Sequence, residues 1–209
     1  MKRRTFLVGA LSTPLLVGFA RVELRDAVFE EMGSSLVMTL EVPGLFKKHD
    51  ADALASIDSG FDTNLHFQLK LYEWGKRKLV AQNTILVKIR RDPWKKKYVV
   101  STRGERGWTK RFFSDRAEAI KAATTLQRVK VAAIEDLERG EDGPYYFAEI
   151  LAQRNPLTPD AKRGRGTTGR GTGRDLEWFG RLVEVLAGER ETAEETVNVR
   201  TNATYLVPQ

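Results

Sequence analysis

Residues 59–100 read SGFDTNLHFQLKLYEWGKRKLVAQNTILVKIRRDPWKKKYVV, and their alternation decides the fold class. Leu65, Phe67, Leu69 and Leu71 fall on one side of an extended chain, with His66, Gln68, Lys70, Tyr72 and Trp74 on the other. A period of two is the signature of a strand with one buried face. Gly75-Lys76 then supplies a turn, and Ile85, Val87 and Ile89 bring the chain back. Asp92-Pro93 breaks that strand, because proline cannot donate to a ladder, and Tyr98 to Thr102 begins the next.

The same period extends in both directions. Leu36, Met38, Leu40 and Val42 line a strand that stops at Pro43-Gly44, and Trp108 to Phe113 follows Gly104 and Gly107 as a hairpin partner. Tyr145 to Gln153 carries apolar residues on both sides, which predicts a central strand, and Val197 to Val207 closes the chain. Helices are fewer. Asp50 to Ser59 opens with acids and stops at Gly60; Asp115 and Glu118 form a capping box for Arg116 to Gln127. Leu176, Phe179, Leu182, Val183 and Leu186 make a helical stripe within Leu176 to Ala187, ended by Gly188. The expected fold is α+β and mainly antiparallel β: a sandwich-like sheet of about seven or eight strands with two or three short helices.

Charge is unevenly placed. The 209-residue chain has a net charge of +7 and no cysteine, which excludes disulfides, thiolate metal sites and cysteine nucleophiles. Lys2, Arg3 and Arg4 hold part of the excess, and Lys162, Arg163, Arg165, Arg170 and Arg174 hold more. The remainder is close to neutral, so the basic balance does not describe a DNA-reading face. Residues 2–4 precede an apolar run from Phe6 to Ala20, and Gly18 and Ala20 place small residues before a cleavage point at Ala20. That pattern is a signal peptide over 1–20, too short for a membrane span of about 20 apolar residues. Arg3 and Arg4, followed by Phe6 and Leu7, also match part of the twin-arginine export motif, with Lys2 where Ser or Thr is usual. Both export routes stay open. Residues 21–209 are then one β-rich domain in the periplasm or otherwise exported, and an uncleaved signal segment would allow membrane association.

Chemistry is harder to find. His49 and His66, with Asp50, Asp52, Asp58 and Asp62, are the candidates for a hydrolytic or metal site, but no metal-binding spacing or nucleophile elbow occurs. The acids suit a helix start and His66 a half-exposed strand. No catalytic residue, cofactor or metal is therefore assigned. Glu135, Asp136, Glu138, Glu141 and Asp142 read as a solvated loop. The denser feature is KIRRDPWKKK: Lys88, Arg90, Arg91, Trp94, Lys95, Lys96 and Lys97 form a candidate interaction surface, continued by Arg103, Arg106, Lys110 and Arg111. Cations interleaved with aromatics suit a polyanion, an anionic lipid surface or an acidic protein. The pattern also suits the charged outer face of a hairpin whose aromatics point inward.

The run from Ser59 to Val100, with Asp92-x-Trp94 ahead of Tyr98, resembles the bacterial exported family catalogued as domain of unknown function 4390. The likeness continues through Phe113 to the strand at Tyr145. It implies an exported β-rich domain without an established activity, and hence no catalytic residues to carry over. Asp92 is expected to start the turn, and Trp94 and Tyr98 to pack beside it.

Gly164-Arg165-Gly166-Thr167-Thr168-Gly169 satisfies the letters of a dinucleotide fingerprint. The context does not: a strand must end in the turn and a helix must begin within it. A flexible Gly/Arg/Thr-rich insertion over 160–174 is expected instead. The leading functional expectation is an exported, non-enzymatic protein that binds a protein partner or envelope component. The alternatives are an exported hydrolase built on His49 or His66 and, third, polyanion or nucleic-acid binding through the basic loop.

Overall fold

The computed structural model describes residues 22–47, 50–104, 107–139, 143–156 and 193–206. The segments 1–21 and 157–192 lie outside them, and with them the predicted signal, its cleavage point, the Gly/Arg/Thr insertion and the helix expected over 176–187. His49, Arg106, Glu141 and Asp142 also lie outside.

The described chain runs β1 (Val22–Arg25), β2 (Val28–Met32), β3 (Ser35–Glu41), α1 (Ala51–Asp58), β4 (Thr63–Glu73), β5 (Leu79–Asp92), β6 (Lys97–Gly104) and β7 (Gly107–Phe113). It continues through α2 (Arg116–Thr124), β8 (Thr125–Ala133), a 3₁₀ turn (Ile134–Asp136), β9 (Tyr146–Arg154) and β10 (Glu195–Thr201). Seven strands form one sheet in the order β1-β10-β9-β4-β5-β6-β7, and β2-β3-β8 form a second. Every described pairing is antiparallel except β1 with β10. The fold is α+β, antiparallel-dominated and sandwich-like, as the alternation predicts.

The alternating strand of the opening stretch becomes β4, the middle of the large sheet. Leu65, Phe67, Leu69 and Leu71 turn inward and are buried with Ile85, Val87 and Ile89 of β5 and Ala148, Ile150 and Ala152 of β9. Against this inner face pack Leu36, Met38 and Leu40 of β3, Leu126 and Val131 of β8, Ile57 of α1 and Ala119 and Ala123 of α2. Each fully buried side chain of this size contributes about 1.5–3 kcal/mol relative to exposure. The core therefore sits between the large sheet and a cover of one small sheet and two helices.

Local signals explain the ends of α1. The Asp50 side chain accepts the Ala53 N–H, and the Ser59 N–H returns to the Ala55 carbonyl. Gly60 has φ 84°, which favours glycine, and a Cβ there would sit tightly at 3.2 Å from the Arg91 carbonyl. At α2, Asp115 accepts the Glu118 N–H at 2.9 Å, the expected cap.

Two features depart from the sequence reading. The helix expected to reach Gln127 stops at Thr124, and β8 begins at the next residue. Thr124 and Thr125 turn their hydroxyls onto the carbonyls of Ile120 and Lys121, which ends the helix without glycine or proline. Strand number also exceeds the expected seven or eight, because β1, β2 and β8 are added. β1 and β2 are short and mostly exposed, so they carry no clean apolar face. In β8 the register slips twice against β3, between Leu36 and Val37 and between Met38 and Leu40. Two-to-one pairing of this kind is a β-bulge, and it breaks the period that would have announced the strand.

Candidate functional site

Strand register places the cationic side chains. On the side of β5, β6 and β7 that faces away from the core, Lys88 lies opposite Ser101 and Ser101 opposite Lys110. The next rows are Arg90–Val99–Phe112 and Leu86–Arg103–Trp108. Lys88 Nζ lies 5.3 Å from the Trp108 ring centre and Lys95 Nζ 4.9 Å from that of Phe112. Cation–π contacts of this kind hold a long side chain while leaving its charge in water. The Asp62 carboxylate approaches Arg90 Nε at 3.5 Å and Lys88 Nζ at 4.0 Å, and all three groups are well exposed. At that exposure the pairs are screened and contribute little to stability.

The turn between β5 and β6 is built by Asp92. Its Oδ1 accepts the N–H groups of Trp94 at 3.0 Å and Lys95 at 3.1 Å. These bonds, the one from Lys95 first, hold the carboxyl below its usual pKa. Asp92 thus starts the turn as expected. Trp94 does not pack: it is 93% exposed at the tip, followed by Lys95, Lys96 and Lys97. Trp108 and Phe112 are also partly exposed, so the aromatics expected to point inward line the surface instead. Tyr98 does turn to the other side, where its hydroxyl donates to Asp58 Oδ1 at 2.8 Å. Burial and this bond to Asp58 both raise the Tyr98 pKa. Arg91, register partner of Tyr98, belongs to that side as well and leaves the candidate surface. The predicted set therefore divides into Lys88 and Arg90 on the outer face, Arg91 on the inner side, and Trp94 to Lys97 at the turn.

His66 is not half-exposed. It is 5% exposed on the outer side of β4, opposite Leu86 of β5 and Gln153 of β9. Burial first, then the charge of Lys88, lowers its pKa to about 4. The acids considered with it are engaged elsewhere. Asp50 caps α1 and pairs with Arg154, Asp58 meets Arg116 and Tyr98, and Asp62 meets Lys88 and Arg90. Among the described residues no group of three His, Asp or Glu side chains could hold a metal ion.

Two clusters escape the sequence reading. Arg154, 4% exposed at the end of β9, donates to the Leu45 carbonyl at 2.7 Å and pairs with Asp50 and Glu194. Its partners come from the connection between β3 and α1 and from the chain just before β10, so no local spacing announces them. Farther along the outer face, Arg200 stands 4.0 Å from the Phe147 ring centre and 5.0 Å from that of Trp74. Phe147 also stacks with Tyr72 at 5.6 Å.

The described residues thus form an antiparallel, sandwich-like fold whose outer face on β5, β6 and β7 carries cations and partly exposed aromatics. More particularly, a family model described as "Domain of unknown function (DUF4390)" matches residues 20–150, and the chain belongs to that family. The match spans β1 through most of β9, including the whole cationic face. No curated protein and no solved structure matches the chain.

Proposed function

We propose that the protein is an exported, non-catalytic binding domain that docks an acidic partner protein of the cell envelope on the outer face of β5, β6 and β7. The observation that carries this reading is the registered row Lys88–Ser101–Lys110 beside Arg90–Val99–Phe112, with exposed Trp94 at the adjoining turn. Cations give such a face its steering charge, and exposed aromatics supply the area that becomes an anchor once water is excluded. Export rests on the basic and apolar segments over 2–20. The state of His66 supports a non-catalytic role, since an imidazole with a pKa near 4 is a weak proton acceptor at neutral pH.

Crosslinking and co-purification of the processed protein from the periplasm tests the reading. A stable acidic partner is expected, lost when Lys88, Arg90 and Lys110 are together replaced by Glu. Recovery of monomer alone, capture unchanged by the triple replacement, or capture of nucleic acid or lipid in place of protein would each overturn it. Fractionation of cells carrying Arg3→Lys and Arg4→Lys separates the two export routes: retention in the cytoplasm identifies the twin-arginine route.

A further inference from the structure

A second site lies where the small sheet meets β5 and the end of β6. β6 ends opposite Leu86, where Arg103 pairs with it, so from Ile85 to Leu79 no described strand pairs with β5 on that side. The small sheet closes only part of the gap: Asn83 Nδ2 donates to the Lys130 carbonyl at 2.8 Å and ties β5 to β8. What remains is a cleft of about 610 Å³. That volume falls within the range of roughly 300–1,000 Å³ typical of small-molecule sites.

The lining has two parts. Val37, Ile85, Leu86 and Val129 give an apolar floor, and Arg103, Arg128 and Lys130 bring three cations from both sheets. None of the described lining residues is a carboxylate. Glu30 approaches from β2 and takes the Nε of Arg128 at 3.1 Å, a contact that uses one donor of the guanidinium fork.

The backbone at Arg128 is the second observation. Its φ is 48°, the left-handed region, within the bulge where Thr39 of β3 accepts its N–H at 3.1 Å. A side chain other than glycine adopts that conformation at a cost, and bulges re-aim side chains. Arg128, Val129 and Lys130 of β8 all border the cleft, with Val129 and Lys130 in regular register against Met38 and Val37 and one slip on either side of that pair.

We infer that this cleft binds an anionic amphiphile: one alkyl chain against Val37, Ile85 and Val129, and a carboxylate or phosphate head among Arg103, Arg128 and Lys130. The ligand chemistry follows from the lining, since an apolar floor without cations would not select a head group and cations without a floor would not select a chain. The site adjoins the outer-face docking surface, since Leu86 and Arg103 form the row next to Lys88–Ser101–Lys110, but Lys88, Arg90 and Lys110 do not line it, so the two readings can be tested apart.

Calorimetric titration of the full chain with dodecanoate, dodecyl phosphate, dodecanol and inorganic phosphate, each below its aggregation limit, tests the inference. The two charged amphiphiles should bind, dodecanol about tenfold or more weakly, and inorganic phosphate without saturation. Preference for dodecanoate identifies a fatty acid as the source of the head, and preference for dodecyl phosphate a lipid phosphate. Arg128→Gly separates function from structure: glycine accepts the left-handed backbone, so the melting temperature should hold or rise while affinity for the charged amphiphiles falls about tenfold. Lys130→Gln should lower the same affinities and spare dodecanol. Dodecanol binding as tightly as dodecanoate, phosphate alone binding as tightly as dodecyl phosphate, or wild-type affinities in both variants would overturn the assignment.

Discussion

The two faces of the large sheet are built from the same strands and behave as different materials. On β4 the inward residues Leu65, Phe67, Leu69 and Leu71 join one apolar cluster with β3, β8 and both helices. Their outward neighbours His66, Gln68, Lys70 and Tyr72 face a mixture of leucines and polar, charged and aromatic partners on β5 and β9. Nor is the outer face uniform. Leu86, Val99 and Phe147 are buried there, yet they stand apart from the main core cluster. Folding energy is thus concentrated on the inner side by apolar contact, while the outer side combines locally buried residues with cations that remain in water. The difference implies that substitutions on the two faces should separate stability from binding.

Phe67→Ala is the most direct way to break the inner face. The ring is fully buried at the centre of the middle strand, and truncation of such a residue removes contacts and leaves a cavity. A loss of about 3–5 kcal/mol is expected by denaturant unfolding. A loss below about 1 kcal/mol would mean the inner layer collapses around the gap and is not the tight side of the sheet.

Arg154→Ala attacks the same face through charge. The guanidinium is buried and shared among Leu45, Asp50 and Glu194, so its removal strands the Leu45 carbonyl and the α1 cap together. Breaking a buried pair typically costs about 3–5 kcal/mol, and the partial exposure of Asp50 and Glu194 places this one at the lower end, about 3 kcal/mol by the same assay. Arg154→Met should recover part of the packing over Phe46 but none of the polar bonds.

His66 supplies a test of the outer face by pH. Its folded pKa of about 4 lies below the ordinary histidine value of 6.5, so the unfolded chain binds the extra proton between those limits. The stability associated with the neutral ring is therefore complete above about pH 6.5 and is lost as pH falls through 4, a change of about 3 kcal/mol. Unfolding measured across that window should show the slope in the wild type and a flatter profile in His66→Gln. Equal slopes would show that the outer-face ring titrates as if in water.

How far these faces could be read beforehand depends on the kind of signal. Alternation in 65–71 and 85–89 is a local consequence of one buried side, so the inner strands and their order of hairpins follow directly from it. β8 is hidden because Thr124 and Thr125 end the helix by hydroxyl bonding and two bulges then erase its period. The division of Lys88 and Arg90 from Arg91 follows from parity along β5, whereas the exposure of Trp94 follows from the turn that Asp92 closes. Arg154 and the inter-sheet cleft are assembled from segments far apart in the chain, and no spacing could reveal either.

The smallest stability effect is expected from Lys88→Gln combined with Arg90→Gln, and it is the most informative for function. Both side chains are about half exposed, and their pairs with Asp62 span 4.0 and 3.5 Å, so solvent screening leaves little energy in them. The change in unfolding free energy should stay within about 0.5 kcal/mol. Removing Lys88 also removes a positive neighbour that helps to lower the His66 pKa, so the acid destabilisation should be slightly smaller and should level off at a slightly higher pH. Against that quiet background, capture of an acidic partner should weaken and lose part of its salt sensitivity, because the steering charges are gone. A large loss of stability in this double variant would make the outer cations structural, and the two faces would then differ in composition but not in purpose.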